Sequence, residues 1–100
     1  MKRVVGGKAY NADTAQTIAV AEDTYEKNDR DWLSRNTLYR TPKGAWFVVE
    51  EDWPEEERGD PDDVRIKFRI IRDLDHALEW VRGCQCEIKN DEYFPAIEEA

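Results

Sequence analysis

Two runs of strand-forming residues, Thr37-Leu38-Tyr39-Arg40 and Ala45-Trp46-Phe47-Val48-Val49, flank the tetrapeptide Thr41-Pro42-Lys43-Gly44. No other part of the chain restricts the fold as much. Pro42 at the second turn position presets φ, and Gly44 at the fourth takes the left-handed conformation of a bulged hairpin. β-branched and aromatic flanks suit a pleated, half-buried surface. The spacing predicts an antiparallel hairpin within residues 33–50.

A second strand signal follows later. Val64, Ile66, Phe68 and Ile70 alternate with Arg65, Lys67 and Arg69, which predicts one buried and one solvated face in an antiparallel sheet. Asp73 then caps a predicted helix from Leu74 to Arg82, with Leu74, Ala77, Leu78 and Val81 on one stripe, Trp80 beside it and Gly83 as the stop. Arg3 to Tyr10 reads as a short strand or hairpin turning at Gly6-Gly7. Asp13 and Gln16 have the spacing of an N-cap pair and predict a short helical turn. Ile18 to Tyr25 suits either a helix or a strand; the reading taken is a turn followed by a strand. The polar stretch Glu26 to Asp31 reads as a loop, and a last short helix is predicted within Asp91 to Glu99, limited by Pro95.

Together these elements predict an α+β fold: a small twisted antiparallel sheet of about four strands, with one or two helices packed on its apolar face. The chain of 100 residues is long enough for one core and too short for two, so a single domain over residues 1–100 is expected. Four Trp, four Tyr and three Phe supply that core and argue against a disordered chain. No apolar run approaches the roughly 20 residues of a membrane span, and Gly6, Gly7 and Lys8 end the opening apolar stretch too soon for a signal peptide. Cys84 and Cys86, one residue apart, predict reduced thiols and a cytoplasmic setting.

The net charge of −8 is unevenly placed. Residues 1–50 hold eight Lys/Arg against seven Asp/Glu, whereas residues 51–100 hold seven against sixteen. Residues 50–63 alone carry nine carboxylates and only Arg58. They are Glu50, Glu51, Asp52, Glu55, Glu56, Glu57, Asp60, Asp62 and Asp63, with Trp53 and Pro54 among them. This segment is expected to be an acidic loop between two strands.

Sites of chemistry are poorly supported. Cys84, Cys86 and His76 lack the paired spacing of a structural zinc site, and His76 falls opposite the apolar stripe of its helix. Ser34 has no nucleophile context, and Gly6-Gly7-Lys8 lacks phosphate-loop spacing. Clustered acids in a loop are no sign of tuned acid–base catalysis, and residues 60–63 lack the ligand order of a calcium loop. The expectation is a non-enzymatic protein with no cofactor and no metal. Arg65, Lys67 and Arg69, with Tyr39 or Trp46 nearby, could meet phosphates, but a pI near 4.6 opposes direct nucleic-acid binding.

Three short stretches carry a family resemblance. Arg3-Val-Val-Gly-Gly-Lys-Ala-Tyr-Asn-Ala-Asp-Thr-Ala15 resembles the opening I-N-G-K-x-Y-D-T-x-T-A of a family of small proteins carried by phages and integrative elements. Leu38 to Phe47 is similar to that family's L-Y-R-T-x-x-G-x-W-F, and Leu74 through Ala77 to Trp80 to its L-x-x-x-A-x-E-W helix. Gly6 stands for the pattern's Asn and Asn11 for its Asp, and an acidic segment replaces a Gly/Ser-rich loop. Some members of the family inhibit CRISPR–Cas effectors, so the resemblance implies an accessory protein of a mobile element, acting in the host bacterial cytoplasm.

The acidic segment has two readings. Its carboxylate density is comparable to that of a nucleic-acid backbone, so residues 50–63 could enter a Lys/Arg-lined channel of a CRISPR–Cas effector, with Trp53 as an anchor. The candidate partner-binding residues are then the nine carboxylates and Trp53. Alternatively the segment is a solvated loop that aids solubility, with Trp53 folded back on the sheet. A different class of function is a regulatory or assembly protein of the element, using residues 37–50 or 64–72 as an open sheet edge for protein contact or homodimerisation.

Overall fold

A computed structural model describes residues 1–55, 64–90 and 92. Strands β1 (Lys2–Val5) and β2 (Lys8–Asn11) form a two-stranded hairpin. Strands β3 (Gln16–Lys27), β4 (Arg30–Arg40), β5 (Trp46–Pro54) and β6 (Arg65–Ile71) form an antiparallel meander. Helix α1 (Leu74–Gly83) then crosses the sheet, and β7 (Glu87–Ile88) pairs with β3 at the far edge. The sheet order is β6-β5-β4-β3-β7. The architecture is α+β, with more strands than the sequence predicts.

Both predicted hairpin turns form. Gly6 and Gly7 have φ of 57° and 76°, and Gly44 has φ of 89°, values that glycine adopts without the Cβ clash other residues meet. At Gly44 the turn is closed by Gly44 N donating to Thr41 O at 2.9 Å and Ala45 N to the Thr41 hydroxyl at 2.9 Å.

The stretch from Glu26 to Asp31 is not a loop. β3 and β4 continue in register to Lys27↔Arg30, leaving Asn28 and Asp29 as a two-residue turn with φ of 55° and 61°. Asn and Asp tolerate this left-handed region better than other non-glycine residues, so they substitute for the usual Asn-Gly. The turn predicted from Asp13 starts two residues earlier, at Asn11, and does not extend into a helix. The Asn11 side chain accepts from Asp13 N at 2.9 Å, and Asn11 O accepts from Thr14 N and Ala15 N. Asn11 rather than Asp13 organises this corner, because its side chain closes the backbone turn locally. The helix predicted within Asp91–Glu99 lies outside the described residues, apart from Glu92.

The sheet is buried on both faces. On one, Ile18, Ala19, Leu38, Trp46, Val48 and Ile71 pack under Ala77 and Val81 of α1. On the other, Phe47 and Val49 pack with Tyr10 of the β1–β2 hairpin, joined by Tyr39 and Phe68. Phe47, Val48 and Val49 therefore bury consecutive side chains on opposite faces, and all three have no exposed surface. A bulge at Ile18 in β3 lets both Ile18 and Ala19 reach the helix-bearing core. The Ile18 carbonyl at this bulge accepts from Lys89 N and Asn90 N at 2.8 and 3.1 Å, which ties down the chain after β7.

One consequence corrects the expectation for β6. The register Val48↔Arg69 and Val49↔Phe68 places Arg65, Lys67 and Arg69 on the helix-bearing face. The apolar residues Ile66, Phe68 and Ile70 face the hairpin-bearing side, so the helix does not cover them. Alternation identifies two faces but does not say which layer each one meets.

Candidate functional site

The acidic segment divides between a strand and a connection. Glu50, Glu51, Asp52 and Trp53 are not in a loop: β5 runs on to Pro54 and pairs on both sides, with Asn36↔Glu50, Arg35↔Glu51, Ser34↔Asp52 and Leu33↔Trp53 on β4. Their side chains consequently alternate between faces. Glu50 and Asp52 share the helix-bearing face with Lys67 and Arg65, their direct partners on β6. Opposite charges in that position stabilise a strand pair by a few tenths of a kcal/mol to about 1 kcal/mol. These two carboxylates are thus matched within the sheet. Glu51 and Trp53 face the other way.

Trp53 is only 8% exposed, and the Arg35 guanidinium lies 5.6 Å from its ring centroid. It is folded onto the sheet and is not presented as an anchor for a partner pocket. Glu55 is exposed at the end of β5. Glu56, Glu57, Asp60, Asp62 and Asp63 lie outside the described residues. Both ends of the connection that holds them, Glu55 and Val64, sit at the same end of the sheet, since Trp32↔Pro54 and Asp52↔Arg65 fix the register there.

That end carries further carboxylates. The long β3–β4 hairpin brings Glu22, Asp23, Glu26, Asp29 and Asp31 to it, all exposed. Reading Glu26–Asp31 as a loop hid them; a hairpin turning at Asn28-Asp29 would have aligned them with the end of β5. On the helix-bearing face of this end is an aromatic and cationic stack. Tyr25 lies parallel to Trp32 at 6.3 Å, and the guanidiniums of Arg65 and Arg30 stand 4.9 and 5.6 Å from the Trp32 ring centroid. Trp32 is 6% exposed, covered by these neighbours. Arg35 Nε and Glu22 Oε1 are 3.8 Å apart, and the Glu22 side chain is 65% exposed, which leaves most of its charge to solvent.

The opposite end carries two exposed lysines, whereas Lys27, Arg30 and Arg65 sit among the carboxylates of the acidic end. Lys8 and Lys43 are exposed there and line a hollow of about 510 Å³ between the β1–β2 and β4–β5 turns. Two of the three stretches that carry the family resemblance therefore meet in one place, with Gly7 to Asn11 facing Thr41 to Ala45.

The groups weighed for chemistry are dispersed. His76 is exposed on α1; its Nδ1 is 2.6 Å from Asp73 Oδ1, which also accepts from His76 N at 3.0 Å. These contacts hold the Asp73 carboxyl below the usual carboxylate range, the side-chain hydrogen bond contributing most. Cys84 and Cys86 are free and half-buried, and burial pushes both thiols above their ordinary pKa. A protonated thiol is a weak nucleophile and a poor metal ligand at neutral pH. Among the described residues, no group of three or more His, Cys, Asp or Glu side chains is placed to hold a metal ion.

A shallow hollow of about 470 Å³ on the hairpin-bearing face is lined by Glu22, Arg35, Thr37, Tyr39, Glu51, Glu87 and Lys89, among others. Burial and then Glu51 push the Tyr39 hydroxyl above its ordinary pKa, partly offset by a hydrogen bond with Thr37. Its charges are of mixed sign and it holds no nucleophile and base in contact. Among the described residues, no helix is long and apolar enough to cross a membrane. No family model, curated protein or solved structure matches the chain.

Proposed function

We propose that this chain is a non-enzymatic binding protein whose acidic end occupies a lysine- and arginine-lined, nucleic-acid-binding surface of a partner protein. One observation carries the reading: the carboxylates of the β3–β4 hairpin and both ends of the acidic connection converge on one end of the sheet. Carboxylates gathered on a paired hairpin attract a basic channel at a distance and exclude its nucleic acid once seated.

The resemblance at Arg3–Ala15, Leu38–Phe47 and Leu74–Trp80 points to a CRISPR–Cas effector as the partner, and so to an inhibitor carried by a phage or other mobile element. The site differs from the one drawn from sequence. Glu50, Asp52 and Trp53 support the sheet, while Glu22, Asp23, Glu26, Asp29, Asp31 and Glu55 join the residues of the connection as the contact set. Capture from bacterial cells carrying several CRISPR–Cas systems tests the proposal. A guide-RNA effector that is recovered with the chain and no longer binds target nucleic acid is the expected result. Recovery of the chain alone would reject it.

A further inference from the structure

The outer edge of β6 is open among the described residues: β6 ends the sheet order and pairs only with β5. Such an edge presents a row of backbone donors and acceptors to another strand. Its side chains fall into two sets. Ile66 and Ile70 are 44% and 39% exposed on one face, and Lys67 and Arg69 are exposed on the other.

A second copy does not fit this edge. Antiparallel self-pairing about Phe68 would set Lys67 directly opposite Arg69 of the other copy, twice. Like charges in that position oppose pairing. The outer edge of β3, unpaired among the described residues beyond the two that meet β7, fits no better, because a continuous sheet would lay Glu22 and Glu26 beside Ile66 and Ile70.

The inner side of β6 shows what does fit. There β5 meets it with Val49 against Phe68, Glu50 against Lys67 and Asp52 against Arg65. We infer that the outer edge of β6 is a strand-addition site for an extended segment of a partner protein in which acidic and apolar residues alternate. The carboxylates would lie beside Lys67 and Arg69, and the apolar side chains beside Ile66 and Ile70. This surface is separate from the acidic rim of the β3–β4 hairpin, so it stands or falls without it.

The test uses fluorescein-labelled peptides that match the seven residues of β6 in length: alternating Glu and Val, alternating Lys and Val, and the Glu/Val composition in two blocks. Fluorescence anisotropy with the full chain should show the alternating Glu/Val peptide binding about tenfold more tightly than either other peptide. N-methylation of alternate peptide bonds on the pairing edge should abolish binding, and this control leaves the protein untouched. Lys67→Glu with Arg69→Glu should reverse the preference towards the Lys/Val peptide. Equal binding of the three peptides, or binding that survives whichever of the two edges is N-methylated, would overturn the inference. So would self-association of the chain that Ile66→Lys abolishes, since the edge would then belong to a second copy.

Discussion

Phe47 meets Tyr10, Tyr39 and Phe68 with ring centroids 5.6, 5.2 and 5.8 Å away, while its neighbour Val48 packs under the helix on the other side. A single strand thus supplies the centre of both cores. Phe47→Ala should cost about 3–5 kcal/mol, seen as a lower urea midpoint with an unchanged slope. At the start of α1 the prediction concerns pH. The Asp73 carboxyl is held below its ordinary value of 3.8, chiefly by the hydrogen bond with the His76 side chain. Its folded pKa is depressed, so the carboxylate contributes stability that is fully present above 3.8 and is lost as pH falls through the lower folded value. The advantage of the wild type over Asp73→Asn in thermal melts should therefore shrink as pH falls below 3.8 and through the folded value. An advantage independent of pH down to full protonation would show that charge plays no part.

At the scale of elements, the turns decide where strands end. Ala at position 44 would adopt a φ of 89° and bring its Cβ to 3.1 Å from the Arg40 guanidinium. Gly44→Ala should destabilise the chain by about 1 kcal/mol or more. Asp29→Gly should do the reverse, because the left-handed conformation costs an L-residue about 1–2 kcal/mol that glycine avoids; a rise in thermal midpoint is the check. The β4–β5 hairpin, β6 and α1 were legible because each has a periodic apolar signal with a turn or cap residue at its end. The β3–β4 hairpin was not. Beyond Ala21 its residues are mostly solvated on both faces, so no apolar period marks Glu22 to Asp31 as strand. Periodicity places the helix along the chain but does not tell which face of β6 it covers, because the second covering layer, β1–β2, is too short to announce itself.

Across the whole molecule, carboxylates gather at one end of the strands. Glu22, Asp23, Glu26, Asp29, Asp31 and Glu55 lie there and outnumber Lys27, Arg30 and Arg65 beside them, while Lys8 and Lys43 lie at the other end. A net charge of −8 with this placement orients the chain towards a positive surface before contact. Sequence alone located the acidic segment and its charge. It missed the contribution of the β3–β4 hairpin, because residues 22–31 and 50–55 approach one another only through long-range strand pairing.

The account rests on that assembled acidic end. Its most direct test is the salt dependence of binding to the captured effector, for the wild type and for a variant carrying Glu26→Gln, Asp29→Asn, Asp31→Asn and Glu55→Gln. These side chains are exposed, so the fold should survive with little change in thermal midpoint. The variant should bind at least about tenfold more weakly in low salt and lose less affinity as salt rises. Equal affinity and equal salt dependence in the two proteins would contradict it.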